Sequence, residues 1–262
     1  MLSSILIPAA IVGAIGLIAG AGLAIASVLM AVPKDEKAEA ILEKLPGANC
    51  GACGYSGCSG YAAALSSGSA KNGLCAPGGA AAAAEISKVL GVGAGDVKRK
   101  TAVVHCLGTY DNTSDKIEYQ GVNSCAAAMQ LFGGTASCAF GCIGLGDCAA
   151  ACPYGAIDVC NGAAKVNPAM CRGCSICVRT CPKGIISLEE EGSAAVRCSS
   201  RVKGGETRKV CKAGCIGCMR CVKACEHGAI TVTDFCASVD SSKCTGCGKC
   251  TEVCPAHIVK LR

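Results

Sequence analysis

Aromatic residues are scarce in this chain. Its 262 residues include no tryptophan, three phenylalanines and five tyrosines, against 35 glycines and 26 cysteines. So little aromatic volume argues against one large aromatic core. Small cysteine-rich units depend on metals or disulfides for stability, and we therefore expect bound cofactors to replace part of that core.

Several catalytic motifs are also missing. The sequence has no P-loop, no HExxH and no GxSxG, and its Gly91-x-Gly93-x-Gly95 run lacks the spacing of a dinucleotide fingerprint. No pocket for an organic substrate is legible, so we predict no catalytic side chain. The three histidines are expected at turns or on the surface, namely His105, His227 and His257.

Cysteine, by contrast, is abundant and arranged in four groups between residues 138 and 254. The last three groups read C-x2-C-x2-C-x3-C, and three of the four are followed by proline. The groups are Cys138, Cys142, Cys148 and Cys152; Cys171, Cys174, Cys177 and Cys181; Cys215, Cys218, Cys221 and Cys225; and Cys244, Cys247, Cys250 and Cys254.

This spacing is that of the bacterial ferredoxin run, in which three cysteines hold one cubane and the fourth binds the neighbouring cluster. Two runs form one two-cluster module, so four runs predict two modules and four [4Fe-4S] clusters. Zinc is the competing interpretation, but zinc sites normally use pairs of CxxC rather than such dense runs. Iron–sulfur thiolates need a reducing compartment, which favours a cytoplasmic location.

The two modules are copies of each other. Adding 73 to the numbers of nine cysteines in the first module gives a cysteine in the second each time. Such a register indicates a tandem duplication. It pairs Cys125 with Cys198 and Cys138 with Cys211. At one ligand position it fails, because Leu145 stands where Cys218 stands.

Leu145 leaves one cluster of the first module short of a thiolate. Cys138 is predicted to supply it, with Cys125 or Cys106 as the substitutes, and Cys211 is predicted to be a free thiol. The predicted ligand sets are Cys138, Cys142, Cys148 and Cys181; Cys152, Cys171, Cys174 and Cys177; Cys215, Cys218, Cys221 and Cys254; and Cys225, Cys244, Cys247 and Cys250.

A fifth site precedes the modules. Cys50, Cys53, Cys58 and Cys75 follow the spacing C-x2-C-x4-C-x16-C, with glycines between them. Glycines permit positive φ and let N–H groups point at sulfur, which suits a cubane held close to the backbone. By spacing alone, zinc stays open here.

Six cysteines lie outside these twenty. We interpret them as small buried hydrophobes, and a sixth metal site among them is the open alternative. They are Cys106, Cys125, Cys160, Cys198, Cys211 and Cys236.

The N-terminus carries a long apolar run. Residues 5–32 contain no charged side chain and would rise roughly 42 Å as a helix, enough to cross a bilayer. A cleaved signal peptide is the alternative, but the run is too long and no basic residue precedes it. Lys34, Lys37 and Lys44 follow it, which favours a cytoplasmic C-terminal side.

The formal net charge of +6 does not indicate a nucleic-acid partner. Ligand thiolates and their clusters add negative charge, and no aromatic–basic interleaving supports nucleic-acid binding. We predict none.

The segment from Asn49 to Gly54, with Cys58 and Cys75, resembles the single-cluster iron–sulfur domain of electron-transfer subunits in anaerobes. Placed between an N-terminal apolar helix and ferredoxin repeats, it resembles the B subunit of the Rnf complexes, which are ion-translocating ferredoxin:NAD oxidoreductases. The resemblance implies five [4Fe-4S] clusters and electron transfer from reduced ferredoxin. NAD and flavin sites would lie on partner subunits in the membrane complex. The alternatives are an iron–sulfur subunit of another dehydrogenase or quinone reductase, and a zinc scaffold.

We therefore predict an α+β chain in four parts. A transmembrane anchor spans 1–33, a small helical single-[4Fe-4S] domain 34–95, a first two-cluster ferredoxin-like module 96–193, and a second such module 194–262. The expected location is the inner cell membrane, as a single-pass protein with its soluble domains on the cytoplasmic side.

Overall fold

The computed structural model describes the chain except for residue 1 and residues 30–34 and 94–96. A first helix is followed by a small unit of three helices, and short strands and helices then alternate to the C-terminus. The predicted boundaries at 33/34 and 95/96 lie outside the described residues. The first helices are α1 (Leu2–Leu29), α2 (Glu36–Lys44), α3 (Cys58–Ser66) and α4 (Gly79–Leu90).

The predicted transmembrane anchor has to be corrected. Among the described residues, none of the helices combines the length and the apolarity needed to cross a membrane. Helix α1 (Leu2–Leu29) overlaps the predicted run of residues 5–32. The end of the run, residues 30–32, lies outside the described residues.

The three-helix unit has its own core. Asp35 caps α2, because its carboxylate accepts two backbone N–H groups of the first turn at 3.1 Å. Ile41 of α2, Tyr61 of α3 and Ile86 of α4 meet in the centre and are almost fully buried. The hydroxyl of Tyr61 donates to the Lys71 carbonyl at 2.9 Å, which fixes the loop that leads to the last cysteine of this unit.

Each ferredoxin-like module is built from two short antiparallel strand pairs and short helices. The first contains β1 (Lys100–Val104), α5 (Cys125–Phe132), α6 (Asp147–Ala150), β2 (Ile157–Cys160), β3 (Ala163–Val166), α7 (Ile176–Thr180) and β4 (Ile186–Glu190). The second contains β5 (Ala194–Val196), α8 (Gly204–Val210), α9 (Arg220–Ala224), β6 (Ile230–Thr233), β7 (Cys236–Val239), α10 (Lys249–Glu252) and β8 (Val259–Leu261).

The strand register follows the duplication with one displacement. β2 and β3 pair in the same register as β6 and β7, at an interval of 73 residues. The outer pairs, β1 with β4 and β5 with β8, differ in this interval. Val104 of β1 pairs with Ile186 of β4, and Val196 of β5 pairs with Val259 of β8. The strands β1 and β5 are thus 92 residues apart, although their partners keep the interval of 73. The first module therefore contains 19 additional residues after β1, and α5 lies in that insertion.

Small aliphatic side chains and cysteines share the interior of both modules. In the first module Val104, Ile157 and Ile186 pack around buried cysteines, and the second module repeats this arrangement. Because no large aromatic side chain fills these interiors, the space around the cysteines defines the cores.

We predict that Tyr61→Phe loosens the three-helix unit. The Tyr61 hydroxyl also accepts the N–H of Leu74 at 3.2 Å. Removing this hydroxyl leaves both the Lys71 carbonyl and the Leu74 N–H without their partner. We expect a cost of about 1–2 kcal/mol, seen as a roughly 5- to 30-fold loss of amide-exchange protection in α3 and α4. Tyr55→Phe is the control, because that ring packs on Tyr61 without a hydroxyl bond in the described part of the chain. Equal protection in both variants would contradict the prediction.

Candidate iron–sulfur sites

The first site lies in the loops of the three-helix unit, where Cys50, Cys53, Cys58 and Cys75 come together. Burial raises the pKa of Cys75, and the neighbouring thiols of Cys58, Cys50 and Cys53 raise it further. The side-chain oxygen of Asn49 accepts the N–H of Cys58 at 2.9 Å and so ties the first cysteine loop to the start of α3. All four predicted ligands of this site are brought together.

The second site is an apolar cavity of about 390 Å³ in the first module. Cys142, Cys148 and Cys181 line it, and the fourth cysteine on its wall is Cys125. Burial, together with the thiols of Cys142, Cys125 and Cys181, raises the pKa of Cys148 to about 12. Cys138 is not on this wall, so the geometry favours Cys125 as the fourth thiol.

Asp147 explains how Cys125 reaches this cavity. Its carboxylate accepts the N–H groups of Cys125 at 2.8 Å and Ala126 at 3.0 Å, and the Ser124 hydroxyl at 3.0 Å. Burial opposes ionisation here, but these three hydrogen bonds lower the pKa of Asp147 on balance. The residue next to Cys148 thus holds the beginning of α5 against the site.

Leu145 occupies the place of the missing ligand. It packs against the small cluster formed by Cys125, Ala128 and Ile143. Leu145, which stands where the second module has a cysteine, therefore contacts the segment that carries Cys125.

The third site joins Cys152, Cys171, Cys174 and Cys177. Burial raises the pKa of Cys177 to about 11, and the thiols of Cys171, Cys174 and Cys152 add to the shift. The N–H of Ala102 in β1 donates to the Cys171 sulfur at 3.3 Å. This set agrees with the predicted ligands.

The fourth site belongs to the second module and follows the ferredoxin run without a gap. Cys215, Cys218, Cys221 and Cys254 line one cavity of about 370 Å³. Burial, together with the thiols of Cys215, Cys218 and Cys254, raises the pKa of Cys221 to about 11.

The fifth site, also in the second module, is a cavity of about 320 Å³ lined by Cys225, Cys244, Cys247 and Cys250. The N–H of Ala194 in β5 donates to the Cys244 sulfur at 3.4 Å. This bond repeats the one between β1 and the third site, so the two modules present the same strand to the same cysteine.

Cys138 lies on a different cavity, between the two modules. Cys106, Cys142, Cys198 and Cys211 line it as well. Cys142 is also a predicted ligand of the second site, and the other three lie outside the predicted ligand sets. Alignment at an interval of 73 residues does not reveal this grouping, because the 19-residue insertion shifts Cys106 out of register with Cys198. The signal was present in Val104-His105-Cys106 and Val196-Arg197-Cys198, where a valine and a basic residue precede the cysteine.

The three-helix unit contacts the first module beside the first and third sites. The Arg179 guanidinium donates to the Cys50 carbonyl at 2.8 Å. Burial raises the pKa of Tyr154, and so do the thiols of Cys174, Cys50 and Cys75, which face it from both sites. The phenol of Tyr154 therefore lies between the two sets of ligand loops.

The donor sets fit iron–sulfur clusters. Four thiols meet at each site, and apolar residues form the walls of the cavities. Several backbone N–H groups point at sulfur, as cluster ligands require. In the described ranges, no three His, Cys, Asp or Glu side chains could hold a single metal ion. The absence of a single-ion site applies equally to all five thiol sets. It concerns one metal ion, whereas the thiolates of a four-iron cluster bind several different irons.

Family models match three parts of the chain. Residues 45–77 match one described as a putative Fe-S cluster. Residues 214–258 match a 4Fe-4S dicluster domain, and residues 168–184 match a 4Fe-4S binding domain. The run that contains Leu145 lies outside these ranges. The matches define an iron–sulfur protein of the ferredoxin type that carries [4Fe-4S] clusters.

Relatives extend the likeness to the whole chain. It is 42% identical over 261 residues to the B subunit of the Na(+)-translocating ferredoxin:NAD(+) oxidoreductase complex of Acetobacterium woodii, covering 99% of this chain and 78% of the relative. It is 36% identical over 264 residues to the B subunit of the ion-translocating oxidoreductase complex of Methanosarcina acetivorans, covering all of both chains. It is also 36% identical over 251 residues to the B subunit of the proton-translocating ferredoxin:NAD(+) oxidoreductase complex of Clostridium ljungdahlii, covering 94% of this chain and 88% of the relative.

The chain therefore belongs to the family of B subunits of the ion-translocating oxidoreductase, or Rnf, complexes. It is an iron–sulfur electron-transfer subunit of such a complex, as the resemblance implied. Complexes that translocate ions are membrane-associated.

We predict that Asp147→Ala labilises the second site. Without the carboxylate, the start of α5 loses three hydrogen bonds and Cys125 is no longer held at the cavity. Iron should pass from this site to a chelator about 10- to 100-fold faster, as for other outer-shell ligands. Asp158→Ala, which removes an exposed carboxylate of β2, is the control. Identical iron release from the two variants would argue against this role of Asp147.

Proposed function

We propose that this chain accepts electrons from reduced ferredoxin and relays them through five [4Fe-4S] clusters to partner subunits of its complex. The observation that carries this proposal is the contiguity of the thiol sets. The three-helix unit touches the first module through Arg179 and Tyr154, and each module holds two sets side by side. Bound clusters would supply one-electron carriers at each set.

The ligands of four clusters are proposed as the sequence predicts them. They are Cys50, Cys53, Cys58 and Cys75; Cys152, Cys171, Cys174 and Cys177; Cys215, Cys218, Cys221 and Cys254; and Cys225, Cys244, Cys247 and Cys250. For the remaining cluster we propose Cys125, Cys142, Cys148 and Cys181, with Cys125 in place of Cys138 because Cys125 lines the cavity.

The residues around these sets would exclude water and tune the clusters. Apolar walls keep solvent from the sulfurs, and backbone N–H groups such as those of Ala102 and Ala194 stabilise negative charge on them. Burial raises the pKa of the ligand thiols Cys148, Cys177 and Cys221, and repulsion between neighbouring thiolates acts in the same direction. Bound iron would neutralise these thiolates.

We further propose a working location on the cytoplasmic side of the cell membrane, within the complex. All 26 cysteines are free of disulfides, which suits a reducing compartment. The NAD and flavin sites would lie on partner subunits. The relatives' names include both sodium and proton translocation, so they favour neither ion.

Reduction by ferredoxin tests the electron-transfer role. We expect reduced ferredoxin to bleach the broad visible absorbance of the anaerobically purified chain, with one electron taken up per cluster. NADH is the control donor and should leave the absorbance unchanged, because its site is proposed elsewhere. A colourless protein, no response to ferredoxin or direct reduction by NADH would each contradict the proposal.

A rescue experiment tests the fourth ligand of the second site. We expect Cys125→Ala to lose about 1 to 4 Fe per chain, given four-thiolate ligation. Adding Leu145→Cys should restore the loss, because position 145 is the counterpart of Cys218 and packs against Cys125. The same addition should not rescue Cys138→Ala. Rescue of Cys138→Ala alone would return the assignment to Cys138.

A further inference from the structure

The cavity between the two modules gathers four cysteines that the proposed clusters leave unused. Cys106 and Cys211 are buried, Cys138 and Cys198 are half-buried, and all four line this cavity together with Cys142, a proposed ligand of the second site. Each module contributes two of the four thiols.

The two halves of this cavity are related by the duplication. Cys106 follows β1 by two residues as Cys198 follows β5, and Cys138 stands four residues before Cys142 as Cys211 stands before Cys215. The strand register therefore makes Cys106 the counterpart of Cys198. This equivalence replaces the one between Cys125 and Cys198 that the 73-residue interval suggested.

Reciprocal hydrogen bonds close the junction. A ring nitrogen of His105 lies 2.6 Å from the Val196 carbonyl, and the Arg197 guanidinium donates to the Val104 carbonyl at 2.6 Å. Each basic side chain thus binds the strand that leads to the other module's cysteine. The positions of Cys106 and Cys198 are therefore fixed relative to each other.

The loop at each of the four cysteines has the form of a cluster-ligand loop. The N–H two residues further on donates to sulfur, from Gly108 to Cys106 at 3.2 Å and from Ser200 to Cys198 at 3.4 Å. Phe140 and Ala213 stand in the same relation to Cys138 and Cys211.

The same bond occurs at three cysteines of the ferredoxin runs. It joins the N–H of Gly144 to Cys142, that of Ile176 to Cys174 and that of Gly217 to Cys215. Burial of small hydrophobes would explain why the four cysteines are inside. It would not explain why the N–H two residues further on faces the sulfur at each of the four positions.

We propose that Cys106, Cys138, Cys198 and Cys211 hold a sixth [4Fe-4S] cluster at the junction of the two modules. Six sets of four then use 24 of the 26 cysteines and leave only Cys160 and Cys236. Cys160 is exposed, and Cys236 donates its S–H to the Cys198 carbonyl at 3.3 Å.

The position of the sixth cluster deepens the proposed function. The N–H of Cys142 donates to the Cys106 sulfur at 3.3 Å, and the N–H of Cys215 donates to the Cys198 sulfur at 3.2 Å. Cys142 and Cys215 are ligands of the second and fourth sites. The junction site therefore lies between one cluster of each module, and would pass on each single electron that it receives.

Native mass spectrometry of the anaerobic holoprotein tests the proposal directly. We expect six Fe4S4 units and about 24 Fe per chain under four-thiolate ligation. Five units with four free thiols in the junction, or a disulfide between any two of these cysteines, would overturn it. In that case ferredoxin would still reduce the chain. Failure of the sixth-cluster proposal is therefore distinguishable from failure of the proposed function.

Single substitutions locate the sixth cluster. Cys211→Ser should lose up to about 4 Fe or convert one cluster to a [3Fe-4S] form visible by EPR, since it removes one of four thiolates. Cys160→Ser is the matched control and should keep the full iron content. Cys106→Ser provides a second variant, and the other five clusters report in each case that the chain has folded. Full iron and unchanged EPR spectra in both Cys211→Ser and Cys106→Ser would refute the assignment.

Discussion

The free-energy cost of ionising buried thiols is the constraint on which this structure depends. Each module encloses its cysteines in small aliphatic side chains, and the pKa of a thiol such as Cys148 is raised by burial and by its neighbours. Such an interior is stable in its ionised form only when iron lies between the sulfurs. The metal therefore takes the place of the aromatic core that the chain lacks, and the short strands and helices serve mainly to hold loops around it.

The spacing of the ferredoxin runs predicts most of the ligand sets, because three ligands of each cubane come from one run and the fourth comes from the other run of the same module. The segments that follow the four runs form β2, β4, β6 and β8, each in an antiparallel pair. The family followed from the same residues. The transmembrane prediction for the N-terminal run was wrong for the described helices.

What the sequence could not show depends on long-range geometry. An interval of 73 residues aligned Cys125 with Cys198, but the 19-residue insertion means that Cys106 is the structural counterpart. The approach of Cys125 to Cys148 depends on a carboxylate, that of Asp147, which accepts N–H groups from a segment 22 residues earlier in the chain. Neither motif spacing nor hydrophobic periodicity encodes such a contact.

The reciprocal bonds of His105 and Arg197 have a mechanical consequence. Only three residues separate β4 from β5. In addition, His105 binds β5 at Val196, and Arg197 binds β1 at Val104. Hydrogen bonds in both directions therefore join the two modules in addition to the short link. In the proposed relay, the distances between neighbouring sites would be set when the chain folds, and electron transfer along them would need no movement of one module against the other. Only the docking of other proteins at the ends of the series would then depend on diffusion.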